Sequence, residues 1–109
     1  MSFDGPFPFH GVLEWIPAEK GGRAKPLPVS SFAAVGWRQD VGSDGMASLL
    51  LRGFEPGRRR SRADARWLVP RADAQYVMSV GDVIIVGEGS RPVARFHVDA
   101  VDPLVEEVS

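Results

Sequence analysis

The chain has 109 residues, 44% of them hydrophobic and 25% charged, with a net charge of −1. These values describe one globular domain with a single modest core. It has no cysteine, which excludes disulfides, thiolate metal sites and cysteine nucleophiles, and its two histidines make a zinc site only if carboxylates complete it.

Phe3 to Pro8 reads as a loosely held end. Phe9 to Ile16 is the first strand, with Val12, Glu14 and Ile16 opposite Leu13 and Trp15. Glu19-Lys20-Gly21-Gly22-Arg23 follows it, and a glycine after an apolar run supplies the positive φ of a tight reversal. After Pro26-Leu27-Pro28, a second strand spans Phe32 to Gln39 and places Val35 and Trp37 on one face. The turn Gly42 to Gly45 leads to a third strand, Ala47 to Phe54, carrying Leu49, Leu50 and Leu51.

Glu55-Pro56-Gly57 then opens a loop containing Arg58-Arg59-Arg60-Ser61-Arg62. A fourth strand is expected over Asp64 to Val69, with Ala65, Trp67 and Val69 inward, and Asp73 to Met78 as one helical turn or a loop. Residues 82–86, β-branched and apolar on both faces, make a buried fifth strand. The turn Glu88-Gly89-Ser90-Arg91 separates it from residues 93–101. There Ala94, Phe96, Val98 and Ala100 alternate with Arg95, His97 and Asp99. Inward positions are expected at Val12 or Leu13, Val35, Leu49 or Leu50, Trp67, Ile85, Phe96 and Val98.

Twelve glycines and nine prolines punctuate six short strands, and the pattern suits an all-β fold. A closed six-stranded antiparallel barrel removes exposed edges and is the expected architecture, with a sandwich as the alternative. The domain spans 1–109, with a core over about 9–101 and loosely held ends. No apolar run approaches the about 18 residues of a membrane helix, and Met1-Ser2-Phe3-Asp4 lacks a basic leader, so the expected compartment is the cytoplasm, without membrane contact.

Charge is distributed unevenly. Between Arg52 and Arg71 lie seven arginines against Glu55 and Asp64, a segment of +5 that leaves −6 for the rest. Arg58, Arg59, Arg60 and Arg62 must be exposed, because clustered guanidiniums repel one another. Guanidinium forks grip phosphate or carboxylate in two-pronged contacts that lysine does not make. The tract therefore reads either as a site for an anionic partner or as solvated surface. The turn at Glu88, Gly89 and Arg91 is the second candidate, since Gly89 permits close backbone approach. Gly87-Glu88-Gly89 lacks the third glycine and following helix of a dinucleotide motif. Arg95, His97 and Asp99 stand about 7 Å apart on parallel side chains. They read as a solvated strand face, with no nucleophile beside them. The three tryptophans, Trp15, Trp37 and Trp67, fall one per strand and read as core.

Phe9 to Arg23 resembles the opening of the third domain of elongation factor Tu, where an apolar strand runs into a Glu-Gly-Gly-Arg turn followed by threonine-proline. Here Lys25-Pro26 takes that last place. Val80-Gly81-Asp82 is similar to that family's Pro-Gly-Asp turn, and Glu88-Gly89-Ser90-Arg91-Pro92-Val93-Ala94 to its Glu-Gly-Gly-Arg-Thr-Val-Gly. The family's Gly-Tyr-Arg-Pro segment is replaced by Ser30-Ser31-Phe32-Ala33, although Arg38 keeps the basic end of that strand. Ser90 replaces a glycine, and Arg95-Phe96 replaces small residues.

The resemblance implies a six-stranded antiparallel barrel of the kind that, in translational GTPases, contacts the T stem of aminoacyl-tRNA, the GTPase domain and the exchange factor. No Gly-x-x-x-x-Gly-Lys-Ser/Thr loop is present, so no GTPase activity and no nucleotide cofactor follow. The expectation is a non-enzymatic binding module without cofactor or metal, either RNA-contacting and translation-associated or docking an acidic protein.

Overall fold

In a computed structural model of the chain, residues 6–22, 30–68 and 77–102 are described. Six strands form: β1 (Phe9–Trp15), β2 (Ser31–Arg38), β3 (Ala47–Arg52), β4 (Arg60–Trp67), β5 (Val83–Glu88) and β6 (Arg91–Val101). Single 3₁₀ turns lie at Ala18–Lys20 and Ser43–Gly45. The strands close into an antiparallel barrel in the order β1-β4-β3-β2-β5-β6. Among the described residues no helix is long and apolar enough to cross a membrane.

Period-two alternation decides which side chains enter. Leu13, Leu49, Leu51, Ala65, Ile84, Val86, Phe96 and Val98 meet in one core, with Trp67 packed against it. Phe96 lies beside Leu13 on one neighbour and Ile84 on the other, and all three are fully buried. Trp15, Phe32 and Phe54 close one end, with ring centroids 5.6 to 5.9 Å apart. Their tilted and edge-on contacts suit the aromatic quadrupole.

Several expected positions move to the outer face. Phe32 and Ala34 pack toward the core, so Val35 and Trp37 point outward; by the same alternation Ile85 is outward between Ile84 and Val86. Trp37, Ile85 and Leu50 are nevertheless buried, so the barrel wall here is apolar on both faces. Val12 is half-buried on the outer side, leaving Leu13 in the core. Alternation fails at Ala100, which is exposed: a register shift pairs His10 with Ala100 but Gly11 with Val98, leaving Asp99 as the extra residue. Phe7 is buried rather than loosely held, with the Arg52 guanidinium carbon 3.8 Å from its ring centroid.

The fourth strand differs most. It begins at Arg60, so Arg60 and Arg62 are strand residues and not part of a loop. Small Ser61, Ala63 and Ala65 face inward, and the arginines take the alternate, solvated side. Val69 and most of the segment Asp73 to Met78 lie outside the described residues; Met78 itself is buried and is not helical.

Candidate functional site

Because all neighbouring strands are antiparallel, the ends of β1, β3 and β5 share one rim with the starts of β2, β4 and β6. Glu14 on β1 has Arg60 as its register partner on β4 and Arg95 on β6. The Trp15 amide donates to the Arg59 carbonyl at 2.8 Å, and the Ile16 amide to the Val93 carbonyl at 2.9 Å. Both sequence candidates, the arginine tract and the Glu88 to Arg91 turn, therefore meet at this rim on either side of β1. The aromatic plug of Trp15, Phe32 and Phe54 lies beneath and gives the rim a rigid base.

Most rim cations already face a carboxylate. Arg58 Nη1 lies 3.0 Å from Glu55 Oε2, and Arg60 Nη1 lies 3.8 Å from Glu14 Oε2. Arg62 grips Asp99 with both prongs, at 2.6 and 2.9 Å. That charged hydrogen bond holds the Asp99 carboxyl below its ordinary value. His97 Nε2 lies 3.4 Å from the other oxygen of Glu14. Arg91 lies 3.6 Å from Glu88 and 3.5 Å from the Gly22 carbonyl, tying the last hairpin to the first turn.

Two arginines differ. Arg59 reaches only the Trp15 carbonyl, at 3.5 Å, and Arg95 is exposed with no ion pair among the described residues.

Beside the turn, β2 runs past the end of β5, the last pair being Val35 with Gly87. Phe32 to Val35 and Gly87 to Gly89 consequently line an open groove of about 490 Å³. Gly89, at φ 60°, takes the left-handed conformation that the hairpin needs. The second candidate turn thus forms one wall of a groove as well as part of the rim.

Glu14, Arg95 and the groove were not legible as site features in the sequence. The cue for the arginines was present: alternation of Arg60, Arg62, Asp64 and Arg66 with Ser61, Ala63, Ala65 and Trp67 marks a strand from residue 60. No such cue pairs Arg62 with Asp99, 37 residues away. Among the described residues no group of three or more His, Asp or Glu is arranged to hold a metal ion. Comparison with family models, curated proteins and solved structures finds no match to this chain.

Proposed function

We propose that this barrel is a non-enzymatic binding module that contacts RNA through the rim carrying Arg58, Arg59, Arg60, Arg62 and the Glu88 to Arg91 turn. The observation that carries the reading is topological. The cationic tract and the charge-balanced Glu88 to Arg91 turn, far apart in sequence, lie on the two sides of one strand end, with Arg95 adding a cation on the β6 side. Exposed ion pairs contribute little and exchange readily for an incoming anion, so Arg58, Arg60 and Arg62 remain usable. Among the described residues Arg59 and Arg95 have no carboxylate to give up. The likeness of the turns to those of the third domain of elongation factor Tu supports a translational setting and a tRNA-like partner.

The test is binding of the whole chain to bulk tRNA at about 50 and about 200 mM salt. Four phosphate contacts release four counterions, which weakens binding on the order of a hundredfold over that range. Replacing Arg58, Arg59, Arg60 and Arg62 by serine should flatten this slope while leaving the far-ultraviolet spectrum unchanged. Salt-insensitive binding, or a quadruple variant that binds as well as the parent, overturns the reading. A complex with an acidic polypeptide that survives nuclease replaces it with a protein-docking module.

A further inference from the structure

On the rim opposite the arginine tract, His10 stands between two carboxylates. Its Nδ1 lies 2.7 Å from Asp64 Oδ1 on β4, and its Nε2 lies 3.0 Å from Asp102 Oδ1, just beyond β6. One imidazole thereby joins both neighbours of β1. It does so beside the bulge that leaves Asp99 as the extra residue of β6. The backbone adds its own tie, the Asp102 amide donating to the Pro8 carbonyl at 2.8 Å.

Donor counting decides what this arrangement requires. A neutral imidazole has one N–H and one lone pair, whereas the imidazolium has two N–H groups. Two ionised carboxylates only accept. The protonated ring therefore serves both, and the neutral ring must turn a lone pair toward one of them. Asp64 lies mid-strand with Arg52 Nε of β3 at 3.9 Å, which helps hold it in place. Asp102 lies at the end of the described chain and is the more exposed of the two. Among the described residues the other charges nearby are the Arg62–Asp99 pair and Arg66, which lies beside Phe7.

We infer that His10 is a proton-operated clasp for the end of β6: the imidazolium holds Asp102 against β1 and β4, and the neutral ring keeps Asp64 and releases Asp102. The hydrogen bond to Asp64, then that to Asp102, raises the His10 pKa above its ordinary value and outweighs desolvation. The doubly bonded state is complete below the ordinary histidine range and is lost as pH rises through the raised value. The clasp does not rest on the RNA reading, because its own geometry at the other rim carries it, although Asp99, the partner of Arg62, is close enough to feel the His10 charge.

Imidazole NMR of the whole protein across the neutral range tests it. His10 should titrate above about 6.5, and the amide signals of Asp99 to Asp102 should move with the same midpoint. Hydrogen-exchange protection of Val101 and Asp102, corrected for intrinsic rates, should fall roughly twofold to fivefold as the ring loses its proton. Asp102→Asn, at an exposed position, should lower the His10 midpoint and flatten that response. A His10 midpoint at or below the ordinary value overturns the clasp. So does a β6 end whose protection is unchanged through the His10 titration.

Discussion

The Trp37 indole lies against the bare α-carbon of Gly87, diagonally across β2 and β5. A Cβ at residue 87 would come 2.7 Å from a ring carbon and 2.6 Å from the Gly89 carbonyl oxygen. Neither can be accommodated without movement, because the carbonyl belongs to the hairpin turn and Trp37 is buried on the outer wall. Gly87→Ala should therefore overpack the site and cost about 1–3 kcal/mol, read as a lower urea midpoint. The same shift displaces the groove wall at Glu88 and Gly89. An unchanged midpoint would mean that Trp37 is free to move aside.

Phe96 tests the interior. It is fully buried between Leu13 and Ile84, so Phe96→Ala removes a ring that its neighbours cannot replace. The expected loss is about 3–5 kcal/mol in urea unfolding. A loss below about 1 kcal/mol would contradict its place at the centre of the barrel.

These two positions illustrate what the sequence conveyed. Phe96 and Val98 alternate cleanly with charged residues, so period two assigned them inward, and turn chemistry at Gly21, Gly42, Gly57, Gly81 and Gly89 divided the chain correctly into six strands. Trp37 and Ile85 misled for a physical reason. Where a barrel wall is buried on both faces, alternation loses its polar half and the inward side is no longer marked. Arg60 and Arg62 misled differently: repulsion correctly required exposure, but a strand exposes alternate residues as well as a loop does. The rim itself depends on strand order, and nothing local to Glu14 announces that Arg60 and Arg95 will flank it.

The Arg62–Asp99 pair makes a prediction about acid. Its hydrogen bonds lower the Asp99 pKa, so the stabilisation they give is present above the ordinary carboxylate range and is lost as pH falls through the lowered value. Carboxyl NMR should show Asp99 titrating below a normal aspartate, and Arg62→Gln should raise its midpoint toward the ordinary value, the His10 charge still holding it down in part. Both groups are exposed, so high salt should shift the Asp99 midpoint upward in the parent and much less in the variant. An Asp99 midpoint insensitive to Arg62→Gln would show that the two-pronged contact is not held in solution.

The rim arginines differ in what they surrender on binding, and the difference is measurable. Arg59 and Arg95 hold no carboxylate among the described residues, whereas Arg58 and Arg62 must leave Glu55 and Asp99 before gripping a phosphate. Arg59→Ser combined with Arg95→Ser should leave the melting temperature unchanged and reduce the salt slope of tRNA binding by about two. Arg58→Ser combined with Arg62→Ser should reduce affinity less, because each lost phosphate contact is offset by an ion pair that no longer has to open. It also leaves Glu55 and Asp99 as uncompensated negative charges, so its residual deficit should shrink as salt rises and screens them. Equal losses from the two double variants would mean that the surface ion pairs impose no cost on binding. A larger loss from Arg58 and Arg62 would place the principal contact on the β4 side, around the Arg62 fork, and leave Arg95 as solvated surface.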